Sequence, residues 1–341
     1  MKPVIFGLSG ETLTAEERGF FREVDPAGYI LFKRNIVDRV QLRALTDDLR
    51  TLAGRDDLLI MIDQEGGRVA RMQPPVWPKF PSAEPFDRLY ATAPSSAIAA
   101  ARANARAIAS TLHEVGINVD ALPLLDLRLE GQSDIIGDRS LGGDPMQVAA
   151  LGRAVIEGLR GGGVVGIVKH MPGHGRALVD SHLHLPTVTA SAEELEADIA
   201  PFRSLSGAPM GMTAHIVYTA WDAQRPASLS PVVIGDIIRG RIGFDGLLMS
   251  DDLDMKALAT DGMQAAGMGE LAAGVVAAGC GIALNCWGKM DDMTAIAAAL
   301  PDISAESRAR LDRAMATVAA GPDGADMTMV LATRDALLAL A

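Results

Sequence analysis

The stretch Leu58-Leu-Ile-Met-Ile-Asp-Gln-Glu-Gly-Gly-Arg68 decides the fold, because an apolar run changes abruptly into charged residues and glycines. Its apolar half shows no alternation with polar residues, which is typical of a strand buried on both faces of a parallel sheet. Asp63, Glu65 and Arg68 follow this run. In α/β barrels, active sites lie at the carboxyl ends of the strands. The stretch therefore predicts a buried strand that ends at a functional site.

Similar apolar runs recur along the chain, and segments with helix-start signals lie between them. The runs are residues 4–8, 28–32, 58–62, 117–125, 164–168, 210–214, 246–249 and 281–284. Capping-box sequences begin at Thr14 and Ser191, and Ser230 precedes a proline. This alternation predicts a (β/α)8 TIM barrel of the α/β class, with a doubly wound open sheet as the alternative. Because no Ser/Gly-rich linker divides the chain, we expect residues 1–341 to form a single domain with a C-terminal helical tail from about residue 322.

Composition excludes several classes of protein. The 341 residues are 49% hydrophobic, which excludes intrinsic disorder, and the formal net charge is −12. That charge disfavours nucleic acid and anionic membranes as partners. Cys280 and Cys286 are the only cysteines, so a reducing compartment is favoured. We found neither a signal-peptide pattern nor a membrane-spanning apolar run, and we expect a cytoplasmic protein, most simply a monomer.

Polar residues follow four of the runs, and a barrel would bring them to one mouth. Besides Asp63, these are Lys169 and His170 after the fifth run, His215 after the sixth, and Asp251 and Asp252 after the seventh. Any one of these could simply end a strand, but their convergence predicts a single active site.

The loop after the fifth run carries three histidines, which allows a metal site as one interpretation. His170, His174 and His182 lack helical i, i+4 spacing, and no HExxH motif occurs there. An Asp-x-His pair, Asp180 and His182, also suits acid/base chemistry, whereas His174 between two glycines is typical of a histidine that pins a loop. We therefore expect neither a metal nor a cofactor.

The sequence of this loop resembles a known family. Residues 169–182, K-H-M-P-G-H-G-R-A-L-V-D-S-H, match the pattern K-H-[FI]-P-G-H-G-x4-D-[ST]-H of the β-N-acetylglucosaminidases (β-hexosaminidases) of glycoside hydrolase family 3, with Met171 as the single departure. Residues 63–71, 137–140 and 250–252 also resemble that family, in the same order. The similarity covers roughly residues 1–320 and is to the single-domain bacterial form, which acts in cytoplasmic peptidoglycan recycling.

The resemblance implies a retaining hydrolase with three catalytic residues. Asp251 would be the nucleophile that forms a covalent glycosyl-enzyme, and His182, oriented by Asp180, would be the acid/base. On spacing alone Asp252 competes with Asp251. Because neighbouring strand residues point to opposite sides, only one of this pair should face the substrate.

The resemblance also implies a set of sugar-binding residues, namely Asp63, Arg71, Arg139, Lys169 and His170. Two of these have plainer interpretations, since Arg71 could lie at the surface and Arg139 could pair with Asp138. Met212 and His215 are further candidates for lining the pocket, whereas Asp120 and Asp126 are left out as polar groups at the edge of the core. The tryptophans Trp77, Trp221 and Trp287 suit sugar stacking or ordinary packing equally well.

The resemblance implies exo-hydrolysis of terminal β-linked N-acetylglucosamine from muropeptides, a small-molecule substrate. A phosphorylase is the first alternative, because an imidazole repels phosphate less than a carboxylate does. A non-catalytic sugar-binding barrel and a metal-dependent hydrolase are the others. Product analysis with and without phosphate, turnover of an aryl N-acetylglucosaminide, and the effect of a chelator would distinguish these functions.

Overall fold

A closed barrel of parallel strands forms the centre of the protein in the computed structural model, which describes residues 1–129, 131, 135–179, 184–259 and 267–340. The strands are β1 (Lys2–Gly7), β2 (Pro26–Leu31), β3 (Leu59–Ile62), β4 (Gln64–Gly66), β5 (Val69–Ala70), β6 (Val119–Asp120), β7 (Val165–Met171), β8 (Thr187–Val188), β9 (Met210–Thr213), β10 (Val217–Tyr218), β11 (Leu247–Asp252) and β12 (Ile282–Asn285). Hydrogen-bonded neighbours follow the order β1-β12-β11-β9-β7-β6-β3-β2, and β1 also pairs with β2, which closes the barrel. The four remaining strands form two small sheets, β4 with β5 and β8 with β10.

Helices surround the barrel and connect successive strands. They are α1 (Ala15–Val24), α2 (Arg39–Ala53), α3 (Glu84–Thr92), α4 (Pro94–Glu114), α5 (Pro145–Gly161), α6 (Leu195–Ser204), α7 (Met268–Ala278), α8 (Met290–Ala299), α9 (Ala305–Ala316) and α10 (Met327–Leu338), together with a π-helix at Val233–Arg241 and 3₁₀ turns at Lys33–Asn35, Gly137–Arg139, Ala227–Leu229 and Lys256–Ala259. The final helix α10 packs against α4, where the Arg334 guanidinium donates to Asn104 Oδ1 at 3.2 Å. None of the helices among the described residues is long and apolar enough to cross a bilayer.

The strands place alternate side chains inside the barrel and between the barrel and the helices. In β3, Leu59 and Met61 belong to the apolar cluster inside the barrel, whereas Ile60 and Ile62 pack outward in the larger cluster under the helices. Both clusters are apolar, so each strand is buried on both faces. This is why the runs show no polar alternation in the sequence.

The eight predicted runs each overlap one barrel strand, which confirms the TIM-barrel prediction over the open sheet. The fourth run gives only the two-residue strand β6. Pro123 has no N–H to donate to a neighbouring strand, so regular pairing stops there. Pairing resumes as a bridge between Leu124 and Lys169.

The predicted capping boxes are present. The Thr14 hydroxyl accepts from the Glu17 N–H at 3.1 Å, and the Glu17 carboxylate accepts from the Thr14 N–H at 2.9 Å, at the start of α1. Ser191 and Glu194 make the same reciprocal bonds just before α6. The Thr14 box marks the start of α1, whereas the Ser191 box closes the turn that leads into α6.

Candidate active site

A cavity of about 420 Å³ opens at the carboxyl ends of the barrel strands. It is lined by residues from β7, β9 and β11, from the small sheet of β4 and β5, from the loops that follow β2, β3 and β12, and from residues 135–139. The lining includes the five predicted sugar-binding residues and the predicted nucleophile: Asp63, Arg71, Arg139, Lys169, His170 and Asp251. The barrel thus brings together side chains that lie up to 188 residues apart in the sequence, as the parallel-strand argument predicts.

Strand alternation explains why charged residues point into this cavity. In β3, Leu59 and Met61 face the inside of the barrel, and Asp63 is the next residue in the same phase. Lys169 continues the inward phase of β7, and Asp251 continues that of β11. In each of these three strands, a charged side chain therefore lies above two inward apolar layers.

A network of buried ion pairs forms the floor of the cavity. Lys169, which is 2% exposed, places Nζ 3.2 Å from Asp63 Oδ1 and 2.7 Å from Glu65 Oε1. Arg71 Nη2 donates to Asp63 Oδ2 at 3.0 Å. Arg139 makes a two-pronged pair with Glu65, through Nε at 2.8 Å and Nη2 at 2.7 Å. Arg139 thus pairs with Glu65, while Asp138 pairs with Arg68.

This network keeps its members charged despite their burial. Burial of Asp63 opposes ionisation, but the charges of Lys169 and Arg71 and their hydrogen bonds outweigh it, so the pKa of Asp63 lies well below its ordinary value. For Glu65, burial is likewise outweighed by Lys169 and Arg139, and its pKa is also lowered. Burial lowers the pKa of Lys169, but the opposing effect of the Glu65 and Asp63 charges is larger, so its pKa is raised overall. The floor can therefore present both acceptors and donors to the hydroxyls of a sugar.

Asp126 holds the histidine that follows Lys169. Its carboxylate accepts from the His170 N–H at 3.1 Å and lies 2.7 Å from His170 Nδ1, and it also accepts from the His174 N–H at 2.7 Å. Burial opposes ionisation of Asp126, but His170 and His174 reverse this and lower its pKa to about 2. Burial, followed by the charge of His170, lowers the pKa of His174 to about 4, which fits a neutral histidine that holds the loop.

Asp251 and Asp252 both line the cavity, although strand alternation predicts that only one of the pair faces the substrate. The reason is an irregularity between β11 and β12: Met249 pairs with Ile282 but Asp252 pairs with Leu284, so three steps on one strand match two on the other. Asp252 Oδ1 accepts from the Asp254 and Cys286 N–H groups. Burial raises the pKa of Asp252 to about 7, and the neighbouring carboxylates Asp254 and Asp251 add to this.

His215 supports the end of β11 and is not among the residues that line the cavity. It is fully buried, with Nδ1 2.7 Å from the Ser228 hydroxyl and Nε2 3.0 Å from the Asp252 carbonyl oxygen. Its ring therefore fixes the backbone that carries Asp251 and Asp252. Met212, the other candidate for lining the pocket, is among the residues that line the cavity.

The predicted acid/base pair, Asp180 and His182, lies outside the described residues. The described part of their loop is firmly held: the Tyr218 hydroxyl donates to the Gly173 carbonyl oxygen at 2.7 Å, and the Arg176 guanidinium donates to Asp198 at 2.7 Å. Met171, the departure from the family pattern, is buried against Gly211, where an added Cβ would meet its methyl group at 2.2 Å.

Several residues at the site were missed or underrated in the sequence. Glu65 joins Lys169 and Arg139 in the ion-pair network, but it was assigned no role in the sequence analysis. Asp126 holds His170, but it was left out in the sequence analysis. Asp126 follows an apolar run just as Asp63 does, so its position gave the same signal. Arg34 also lines the cavity, although no local pattern marks it, and of the three tryptophans named as stacking candidates Trp287 lines the cavity. Among the described residues, no group of three or more His, Cys, Asp or Glu side chains is arranged to hold a metal ion.

Comparisons with known proteins agree with this geometry. Residues 10–320 match the family model for the glycosyl hydrolase family 3 N-terminal domain. The β-hexosaminidase of Alkalilimnicola ehrlichii is 38% identical over 314 residues, covering 91% of this chain and 88% of that protein. The β-hexosaminidase of Aromatoleum aromaticum is 36% identical over 315 residues, covering 91% and 86%. NagZ from Neisseria gonorrhoeae, solved in complex with N-trifluoroacetyl-D-glucosamine, superposes with a TM-score of 0.85 at 33% identity, covering 100% of this chain and 98% of that one.

Proposed function

The chain belongs to glycosyl hydrolase family 3 and is a β-N-acetylhexosaminidase of that family, and from this premise we propose that it removes terminal β-linked N-acetylglucosamine from peptidoglycan-derived muropeptides. The observation that carries the proposal is the cavity at the barrel mouth, where Asp63, Arg71, Lys169 and Asp251 meet. The N-acetylglucosamine analogue bound to the Neisseria gonorrhoeae protein supports the same sugar here.

The buried floor suits one terminal sugar. Asp63 stays ionised and can accept from hydroxyls, while Arg71 and Lys169 can donate to them. Glu65 also binds Lys169 and Arg139, so both cations are held in place at the floor. The cavity lies above a barrel interior that is filled by apolar side chains, which favours removal of an end unit over cleavage within a chain.

Asp251 is the proposed nucleophile. It follows the inward apolar layers of β11 and lines the cavity, so its carboxylate can attack the anomeric carbon of a sugar held on the floor. Asp252 beside it has a pKa of about 7, raised chiefly by burial, and its protonated form adds no negative charge next to the nucleophile. Attack would give a covalent glycosyl-enzyme that water then hydrolyses with retention.

The second half of the chemistry needs a proton donor and acceptor. We assign this role to His182, with Asp180 orienting the imidazole, on the strength of the loop motif in residues 169–182. Histidine titrates near neutral pH, so it can protonate the leaving group and then take a proton from water. We also propose a cytoplasmic location, which is compatible with Cys280 and Cys286 both being free and buried.

The test is product analysis with purified protein and a defined set of muropeptides. We expect free N-acetylglucosamine and the shortened muropeptide, detected by mass spectrometry, in both the presence and absence of phosphate. N-Acetylglucosamine 1-phosphate as the main product would identify a phosphorylase instead. No release from any muropeptide, alongside turnover of simple N-acetylglucosaminides, would contradict the proposed substrate class.

A further inference from the structure

Trp287 lies at the mouth of the cavity with much of its surface uncovered. It is 56% exposed, whereas Trp77 is 5% exposed and Trp221 packs half-buried beside Tyr218 at a ring distance of 5.4 Å. Exposed tryptophan is unusual because the indole ring gives up a large apolar contact area when it is left in water. Trp287 is therefore the tryptophan of this chain that is placed to touch a ligand.

A row of alternating cations and rings runs from the cavity floor to Trp287. Arg71, which binds Asp63, lies 5.2 Å from the centre of the Phe32 ring. Arg34 lies 4.8 Å from the same ring and 5.7 Å from the centre of the Trp287 ring. The row connects the proposed sugar-binding floor directly to the exposed indole.

Arg34 holds this row in place. Its Nε donates to the Leu8 carbonyl oxygen at 2.8 Å, and its Nη2 donates to the Cys286 carbonyl oxygen. Gly288, the residue after Trp287, packs so closely on Leu8 that an added Cβ would lie 2.7 Å from the Leu8 carbonyl carbon. The backbone and the cation partner of Trp287 are thus fixed before any ligand arrives, and less freedom is lost on binding.

From this arrangement we propose that Trp287 is a stacking platform for the sugar unit on the leaving-group side of the scissile bond. The inference rests on the proposed function: when the terminal sugar fills the charged floor, the next unit must extend toward the mouth, where Trp287 lies. The C–H face of a pyranose packs well on an indole, and the adjacent Arg34 supplies a positive charge, with no ion-pair partner among the described residues, to polar or anionic substituents. The ligand class is a β-linked N-acetylated pyranose as leaving group.

The experiment compares two substrates that share the terminal sugar and differ in the leaving group. One is the disaccharide N-acetylglucosaminyl-β-1,4-N-acetylmuramic acid, and the other is N-acetyl-β-glucosaminyl azide, whose leaving group has no ring. For Trp287→Ala, we expect the ratio of kcat/KM on the disaccharide to kcat/KM on the azide to fall about 3- to 10-fold, the range of an aromatic contact. Trp287→Phe, which keeps a flat ring, should restore most of that ratio.

Met146→Ala is the matched control, because Met146 is a large apolar side chain, 77% exposed on the outside of α5, and should leave the ratio unchanged. A ratio that stays at the wild-type value in Trp287→Ala overturns the proposal, and so does an equal loss on both substrates, which would place Trp287 against the terminal sugar. If the wild-type protein cleaves neither substrate, the proposed function itself fails, and that result differs from both of the others.

Discussion

The barrel carries a cavity at each end, and the two differ in how their charges are held. The cavity at the amino ends of β7, β9 and β11 is the larger, about 670 Å³ against about 420 Å³ at the mouth. Its charged pairs lie at the surface: Arg310 and Arg313 contact Asp245, whose side chain is 75% exposed. At the mouth, Glu65 and Lys169 are almost wholly buried and bonded to each other at 2.7 Å.

This difference teaches that burial of charge, and not cavity size, marks the active site. Exposed ion pairs contribute little to stability because water screens them. Buried charges cost a great deal of solvation and persist only where partners and function retain them. The mouth has such charges on several strands, whereas the opposite cavity is lined by the ordinary surface charges of α5 and α9.

The largest expected effect is the difference in kcat between a substitution at the mouth and one at the opposite end of the barrel. Asp251→Asn at the mouth should lower kcat at least about 10⁴-fold, because the attacking oxygen loses its charge. Asp245→Asn at the opposite end should leave kcat within about twofold, since this exposed carboxylate pairs with arginines that lie far from the mouth. Steady-state assays on an aryl N-acetylglucosaminide measure both.

A fluorinated substrate analogue that slows the second step sharpens the same prediction. It should leave one sugar on the wild-type protein, and peptide mapping should place it on Asp251. A label on Asp252 would move the nucleophile by one residue. No adduct at all, together with an active Asp251→Asn variant, would instead favour attack by the acetamido group of the substrate.

A second prediction compares the two ends by stability. Glu65→Gln leaves Lys169 and Arg139 buried without their shared anion, so the free energy of unfolding should fall by about 3–5 kcal/mol. Asp245→Asn should change it by less than about 1 kcal/mol. Urea denaturation measures both at pH 7. Similar losses for the two variants would show that the buried network is no more demanding than the surface pairs.

The smallest expected effect concerns the pH dependence of stability. Burial raises the pKa of Asp252 to about 7 in the folded protein, above its unfolded value near 4. Between these values the folded state holds one more proton than the unfolded state, so stability should fall as pH rises from about 4 to 7. Asp252→Asn, which stays neutral and keeps the acceptor for the Asp254 and Cys286 N–H groups, should flatten this slope.

Asp245→Asn is the control, because Asp245 should change stability with pH in the opposite direction to Asp252. The hydrogen bond from Arg310, together with its charge, lowers the pKa of Asp245, so the stability from this group is present above pH 4 and is lost only on further acidification. Urea unfolding at a series of pH values distinguishes the two variants. An unchanged slope between pH 4 and 7 in Asp252→Asn would rule out Asp252 as the titrating group.

The sequence by itself determined the eight strands and the residues that follow them. An apolar run and the polar residue that ends it are local features, so Asp63, Lys169 and Asp251 could be placed at the carboxyl ends of their strands. The capping boxes at Thr14 and Ser191 were readable for the same reason. The motif of residues 169–182 gave the family, which the family model and the β-hexosaminidase relatives confirm.

Only the tertiary structure decided which charges pair and which residues reach the cavity. Arg139 pairs with Glu65, 74 positions away, and not with the adjacent Asp138. Asp252 reaches the cavity because β11 and β12 shift register. Trp287 lies there beside Arg34, which binds the Cys286 carbonyl oxygen although the two residues are 252 positions apart in the chain. Such contacts depend on distances between strands and loops that are far apart in the chain. The physical reason is that local sequence sets the direction of a side chain, but only the closed barrel sets its partners.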